Sequence, residues 1–156
     1  MIGLVAAVAL VLVAVAVAVP IIRGRNGPAG QFERAAQTFH DAYDRTARSL
    51  NDKLATSSGG GFGDPSRAAV MVEAEKLADV FDAYTRALRA ISFPAEATTA
   101  ANQLIKVTDF GHTLMTNFAN GFGVGTANTM LAEFGPKMEA ALADAEKDLR
   151  TGLAAR

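Results

Sequence analysis

The chain has 156 residues, enough for one domain, and its net charge is −1 with acidic and basic residues mixed along the sequence. It contains no cysteine, which excludes disulfides, thiolate metal sites, thiol nucleophiles and the lipidated cysteine of a bacterial lipoprotein. It has no basic tract that would neutralise a phosphate backbone, so we expect no nucleic-acid partner.

The N-terminal segment is continuously apolar, because Ile2 to Ile22 contains no charged, amide or hydroxyl side chain. As a helix it would span roughly 31 Å at about 1.5 Å per residue, which matches a hydrocarbon core of about 30 Å. A lone strand in lipid would leave its backbone groups unpaired. We therefore predict a single-pass transmembrane anchor over residues 1–22 that contacts the plasma-membrane bilayer through residues 2–22.

The anchor leaves two questions open. Ala16, Val17 and Ala18 form a small-x-small pattern, so a cleaved signal peptide competes with the anchor, although the apolar run is long and no basic residue precedes it. Arg23 and Arg25 follow the run, and the positive-inside rule then places the rest of the chain in the cytoplasm. Basic residues encoded before the written start would reverse that orientation.

The remainder reads as one domain of four helices. Residues 23–30 are rich in Gly and Pro and are predicted as a linker, and residues 31–156 as the bundle domain. Apolar residues at three- and four-residue steps, interrupted by breakers, predict four helices at about 29–56, 65–91, 94–117 and 126–149. Because no segment alternates apolar and polar residues, the predicted fold class is all-α, an N-terminal transmembrane helix followed by an antiparallel four-helix bundle.

Each helix has a predicted core face. Gly135 and Pro136 are expected to interrupt the fourth helix with a kink. The expected core residues, in chain order, are Phe32, Ala36, Phe39, Tyr43, Thr46, Leu50 and Leu54; Val70, Ala74, Leu77, Val80, Phe81, Tyr84, Leu88 and Ile91; Ala97, Ala101, Leu104, Thr108, Gly111, Met115 and Phe118; and Leu131, Phe134, Met138, Ala141, Leu142, Ala145 and Leu149.

Two Gly-Phe-Gly loops are the candidate partner-binding sites. In an up-down-up-down bundle, the loop at 57–65 and the loop at 119–125 lie at the same end, and each presents one aromatic residue, Phe62 or Phe122. Exposed aromatic side chains are favoured anchors at interfaces, so these two residues are predicted to contact a partner. The alternative is that each ring folds back and closes the end of the bundle.

The sequence contains no recognisable catalytic, metal-binding or phosphate-binding motif. Its two histidines, His40 and His112, do not form the paired Glu-x-x-His motifs of a di-metal bundle, and no nucleophile elbow or phosphate-binding loop is present. We therefore predict no enzyme activity, no catalytic residue, no metal and no cofactor. Phe and Met residues at helical spacing predict an ordinary core, with a cavity for an apolar ligand as the alternative.

The run from Phe81 to Pro94, FDAYTRALRAISFP, followed by ANQLI at 101–105, resembles small uncharacterised envelope proteins of actinobacteria. Those are lipoproteins or membrane-anchored proteins with a helical domain outside the membrane. The resemblance covers about a quarter of the chain, which departs from the lipoprotein members by having no cysteine after the apolar run. It implies an extracytoplasmic domain, against the charge pattern around the anchor, and it transfers no functional residue.

The function expected from these features is a non-enzymatic, membrane-anchored interaction protein. It would act as an accessory or scaffold subunit of a membrane or cell-envelope complex, with another membrane or envelope protein as partner. The alternative is a ligand-binding or sensor bundle that holds a lipid or another apolar molecule in its core.

Overall fold

A computed structural model describes residues 26–56, 65–121 and 124–155 of the chain. In these ranges the structure is all-helical, without strands, and consists of α1 (Pro28–Thr56), α2 (Pro65–Arg89), α3 (Ala95–Gly121) and α4 (Val124–Ala154). The prediction of four helices and no strand is confirmed for this part of the chain. The predicted anchor over residues 1–22 lies outside the described residues, and none of the described helices is long and apolar enough to cross a bilayer.

Local chemistry explains where the helices begin and end. α1 starts at Pro28, inside the predicted linker at 23–30, because the fixed φ of proline suits a first helical turn and the carbonyl of Gly27 accepts a bond of 2.9 Å from the amide of Gln31. α2 ends at Arg89, two residues earlier than expected, and Pro94 separates it from α3. The free carbonyl of Pro94 accepts a hydrogen bond of 3.0 Å from the amide of Ala97.

Neighbouring helices run antiparallel in the order α1, α2, α3, α4, with α4 returning to α1. Along the α1–α4 seam, Glu33 pairs with Arg150 and Tyr43 with Glu139, so residue numbers rise on one helix as they fall on the other. The other seams show the same inverse order. Between α1 and α2, Phe39 lies beside Tyr84 and Tyr43 beside Phe81; between α2 and α3, Phe81 lies beside Gly111 and Thr85 beside Thr108. Between α3 and α4, Ala97 lies beside Gly152 and Val107 near Ala141.

Most of the predicted core faces are confirmed. The side chains that were predicted to be core and are buried are Phe32, Ala36, Phe39, Tyr43, Leu50, Val70, Ala74, Leu77, Phe81, Tyr84, Leu88, Ile91, Ala97, Ala101, Leu104, Thr108, Met115, Phe118, Met138, Leu142, Ala145 and Leu149. Gly111 is buried as well. Burial of this apolar surface, at roughly 25 cal/mol per Å², is the main favourable contribution to the stability of the bundle.

Two of the predicted core positions on α4 are wrong. Phe134 is 37% exposed, and Ala141 is also exposed. The buried stripe of α4 consists of Met138, Leu142, Ala145 and Leu149, and the two misassigned residues lie on the flank that faces a surface groove along α3. Thr46, Leu54, Val80 and Leu131 are partly buried, at the edges of their predicted faces.

The sequence predicted that Pro136 would interrupt α4, and the structure does not show this interruption. The helix continues through it from Val124 to Ala154. Proline removes the amide that would bond to the carbonyl of Ala132, four residues earlier. Both Ala132 and Pro136 are exposed, so water can bind that carbonyl in place of the missing amide, and the kink expected there stays a prediction.

The close approach of α2 and α3 depends on Gly111. A Cβ atom added at this position would lie 2.6 Å from a ring carbon of Phe81, which is completely buried. Near this point the Thr85 hydroxyl donates a bond of 2.7 Å to the Thr108 hydroxyl, and that hydroxyl donates to the carbonyl of Ile105. The two buried hydroxyls are therefore satisfied close to the point where Gly111 meets the ring of Phe81.

Replacing Gly111 with alanine should lower the free energy of unfolding by about 1–3 kcal/mol, because the Phe81 ring is enclosed and cannot move away freely. Gly135 on α4 is the matched control, since a Cβ atom added there would have no neighbour within 4 Å, and alanine should stabilise the helix by up to about 1 kcal/mol. Urea unfolding of the full chain in detergent, followed by far-UV circular dichroism, measures both. Equal effects of the two substitutions would contradict the close packing.

Candidate functional site

The α1–α4 seam contains a polar network of Glu146, His40, Arg150 and Glu33, joined by Tyr84 of α2, in which Glu146 and Tyr84 are buried and His40 and Glu33 are exposed. Only 3% of Glu146 is exposed, and its carboxylate accepts a hydrogen bond of 2.9 Å from the hydroxyl of Tyr84 on α2. The Nε2 atom of His40 on α1 lies 3.1 Å from the same carboxylate. A buried carboxylate is costly unless it is paired and hydrogen-bonded, so these contacts hold three helices together at Glu146.

Arg150 closes this network toward one end of the bundle. Its guanidinium donates to both carboxylate oxygens of Glu33, at 3.0 and 3.4 Å, and also lies 3.4 Å from Glu146. The same group sits over the ring of Phe32, 5.3 Å from the ring centroid. A fork of this kind fixes the relative position of two helices better than a single point charge does.

The electrostatics of the network favour an ionised Glu146 and a protonated His40. The hydrogen bond with Glu146 raises the pKa of His40 above its ordinary value of 6.5, and burial opposes this change. Burial by itself raises the pKa of Glu146, but the hydrogen bond and charge of His40, the hydrogen bond of Tyr84 and the charge of Arg150 lower it below its usual range on balance. Burial and the charge of Glu146 raise the pKa of Tyr84, so its hydroxyl stays a donor.

A second carboxylate on α4 repeats the pattern in a more open setting. The hydroxyl of Tyr43 donates a bond of 3.2 Å to Glu139, which is only half-buried. Burial raises the pKa of Glu139, and the bond from Tyr43 opposes that rise. The bond between Tyr43 and Glu139 therefore joins α1 to α4 at a second position along their seam.

The network has the arrangement of a structural contact. Every member already binds another member, and within the described ranges no three His, Asp or Glu side chains cluster closely enough to hold a metal ion. Asp109, which shares an i, i+3 spacing with His112, binds Arg89 instead at 2.7 Å. The prediction that the chain has no catalytic residue or cofactor stays a prediction.

A different kind of surface lies between α3 and α4, which we call the α3–α4 groove. Its volume is about 250 Å³, it opens to solvent, and its lining is almost wholly apolar. Phe110 is 52% exposed and Phe134 37% exposed, and they stand on opposite sides of the groove. The complete lining is Lys106, Val107, Phe110, Phe134, Lys137, Met138 and Ala141.

Exposed aromatic rings of this size carry a free-energy cost. Burying a phenylalanine side chain contributes about 1.5–3 kcal/mol relative to leaving it in water, and the bundle forgoes part of that at both Phe110 and Phe134. Adjacent exposed apolar side chains are typical of interaction sites, whereas single ones are ordinary. The α3–α4 groove is therefore the candidate functional site of the described helices.

The sequence pattern indicates the part of the groove that α3 contributes. Phe110 precedes the core residue Gly111 by one position, which turns it about 100° away from the buried stripe of α3. Lys106, four residues earlier, lies on the same side of the helix. No comparable signal existed for Phe134, because its four-residue spacing from Met138 suits a core position equally well.

A second groove, of about 380 Å³, crosses α1 and α2 and differs in chemistry. Small alanines contribute much of its lining, and it lies above the stacked rings of Phe39 and Tyr84, whose centroids are 4.4 Å apart. It carries no exposed aromatic side chain among its lining residues. It is therefore a weaker candidate than the α3–α4 groove.

The predicted partner-binding residues Phe62 and Phe122 lie outside the described residues, and their role stays a prediction. The helix ends that flank their loops are Thr56, Pro65, Gly121 and Val124. Because neighbouring helices run antiparallel, these four ends lie at the same end of the bundle. The arrangement that motivated the prediction is therefore present in the fold.

Comparison with known proteins gives no further assignment: no protein-family model, curated protein or solved structure matches this chain. The resemblance to actinobacterial envelope proteins accordingly stays a prediction.

The pair formed by His40 and Glu146 should make stability depend on pH. Because the pKa of His40 is raised above 6.5, the stability from this pair is fully present below about pH 6.5 and is lost as the pH rises through the raised pKa. His40→Gln should flatten this slope, and Glu146→Gln should flatten it too because it removes the anionic partner. The change should stay below about 1 kcal/mol, since half of the His40 side chain is exposed.

Thermal unfolding at a series of pH values from about 5.5 to 8.5, which brackets the ordinary histidine pKa, measures this slope in the full chain and both variants. Lys76→Gln breaks an exposed ion pair with Glu73 and should leave the slope as it is. An unchanged slope in His40→Gln would show that the pair does not couple folding to protonation.

Proposed function

We propose that this chain is a non-enzymatic, membrane-anchored interaction protein, an accessory or scaffold subunit of a membrane or cell-envelope complex. The observation that carries the proposal is the α3–α4 groove, where Phe110 and Phe134 are exposed on opposite sides of an apolar lining. Aromatic side chains in a shallow apolar groove are common anchors of protein interfaces. The interaction surface is thus on the side of the bundle, in addition to the loops that carry Phe62 and Phe122.

The membrane anchor is the second part of the proposal. It rests on the uninterrupted apolar run from Ile2 to Ile22, which has the length of a bilayer-spanning helix. α1 begins at Pro28, so a short connection would join the anchor to the bundle. The domain lies on the extracytoplasmic side in our proposal, on the strength of the resemblance to anchored envelope proteins.

The alternative proposal is a ligand-binding or sensor bundle that holds a lipid or another apolar molecule in its core. The two grooves described above are both open to solvent and lie on the outside of the bundle. Inside, the large rings of Phe32, Phe39 and Phe81 fill the space between helices. Native mass spectrometry of the detergent-extracted protein distinguishes the two proposals. A bound small molecule supports the ligand-binding bundle, and a bound protein supports the interaction protein.

The anchor predicts a clear result in fractionation. The full chain should stay with the membrane pellet after extraction with alkaline carbonate, whereas a variant that lacks residues 2–22 should appear in the supernatant. Mass spectrometry of the recovered protein must show that the N-terminal residues are still attached. Full-length protein dissolved without detergent would contradict the anchor.

The groove predicts a loss of partner binding on substitution. Phe110→Ser with Phe134→Ser should lower the recovery of partner proteins from crosslinked native membranes by roughly tenfold, about 1.4 kcal/mol. Stability should change by less than about 1 kcal/mol, because both rings are substantially exposed. Val72→Ser, at a position 48% exposed on α2, is the control and should leave recovery unchanged.

A parallel variant, Phe62→Ser with Phe122→Ser, tests the loops. If only this second variant lowers recovery, the loops are the binding surface and the groove is not. If neither variant changes recovery while the proteins remain folded, the interaction proposal loses its support.

A further inference from the structure

The charged residues of the α3–α4 groove restrict which partner can occupy it. Two of the seven lining residues, Lys106 and Lys137, are cationic, and none is acidic. Within the described ranges, neither lysine forms an ion pair with a carboxylate. Glu133 is adjacent to Phe134 in the sequence but is not part of the lining.

Each lysine lies within one helical turn of an exposed phenylalanine. The Nζ atom of Lys137 lies 5.7 Å from the centroid of the Phe134 ring, where the ring face attracts the ammonium group. Lys106 lies one turn before Phe110 on the opposite helix. The groove thus has one exposed ring and one lysine on each of its two helices, and the buried side chain of Met138 is part of its lining.

The length of the groove along α4 is compatible with a docked helix. It runs between two antiparallel helices, and its lining on α4 extends from Phe134 to Ala141. Eight residues of helix extend over roughly 10 Å, or two turns, which matches the i, i+3, i+4 and i+7 side chains of a docked helix. An amphipathic helix seated there would place apolar side chains on the rings and its flanking positions near the lysines.

From this geometry we propose that the α3–α4 groove binds an amphipathic helix of a partner protein, whose apolar face is flanked by Asp or Glu residues. This inference rests on the proposed interaction function and names the chemistry of the partner. The two lysines select the acidic flank, and the exposed phenylalanines supply the apolar contact.

A second copy of this chain fits the groove less well. In a symmetric dimer the same surface meets itself, so Lys106 and Lys137 of one copy would face the lysines of the other. Like charges at an interface oppose association. The groove is complementary to an acidic surface and not to its own.

A bilayer surface is also a poor match. The ends of the bundle nearest the proposed anchor include Pro28 and Ala95, and the groove residues Val107 and Phe110 lie 12 to 15 residues along α3 from that end. At about 1.5 Å per residue this is roughly 18–22 Å away, on the side of the bundle. Lipid contact would therefore require the bundle to lie flat on the membrane.

A photoreactive phenylalanine analogue at position 110 of the full chain, expressed in its native membranes, tests the proposal. The expected product is a crosslink to a helical segment of another protein that carries carboxylates beside apolar residues, identified by mass spectrometry of the digested adduct. The same analogue at Val72, which is also exposed, is the control position and should not give this product. A crosslink only to lipid, only to a second copy of this chain, or no crosslink overturns the proposal.

Charge reversal then tests the acidic flank. Lys106→Glu with Lys137→Glu should lower the yield of the crosslink by roughly tenfold, and lysines in place of the partner's flanking carboxylates should restore it. Arg45→Glu with Lys53→Glu on α1 changes the net charge equally, away from the groove, and should have no effect.

The two proposals fail in different ways. If charge reversal leaves the crosslink intact while Phe110→Ser with Phe134→Ser abolishes partner recovery, the interaction function stands and the acidic partner is wrong. If neither set of substitutions has an effect, the groove is not an interaction surface and both proposals fall.

Discussion

The ring of Phe81 is the contact on which the arrangement of three helices depends. It is completely buried, it meets the rings of Phe39 and Tyr43 from α1 at centroid distances of 5.5 and 5.7 Å, and it occupies the space that a side chain at Gly111 of α3 would need. Aromatic pairs at these distances prefer tilted and edge-on geometries, which fixes the rotation of α1 about its axis as well as its distance from α2. Phe81 therefore contacts both helices that flank α2 and limits how each can shift along it.

The position of α4 depends on polar contacts as well as on apolar packing. α4 packs on α3 through small residues such as Gly152 against Ala97, and it also meets α1 through charged and hydroxyl groups. A buried carboxylate gives little net stability, because its desolvation offsets the attraction to its partners. It gives specificity instead, since any other packing of α4 would leave Glu146 unpaired in the interior. The apolar contacts hold the helices together, and the network at Glu146 selects one arrangement of them.

The α3–α4 groove lies where neither the apolar core nor the polar network at Glu146 covers α4. Met138 and Leu142 complete the core on one side of α4, and the network at Glu146 fixes the side of the helix that faces α1. The remaining flank of α4 has no helix of the described bundle to cover it, so Phe134 and Phe110 face solvent. The bundle forms this surface without opening its core, because Met138 and Leu142 are buried while those two rings are exposed.

The all-α class, the four helices and most of their buried faces could be predicted from local patterns, because a 3.6-residue apolar period and strong breakers such as Pro65 and Pro94 act over short stretches of chain. The apolar run at 2–22, on which the proposed anchor rests, is equally visible in the sequence. The contacts of Glu146 with His40 and Tyr84, which are 106 and 62 residues away, could not be predicted in this way, because they depend on how the helices pair. The same is true of Phe134, whose spacing suits a core position and whose exposure is set by the absence of a neighbouring helix on that flank of the described bundle.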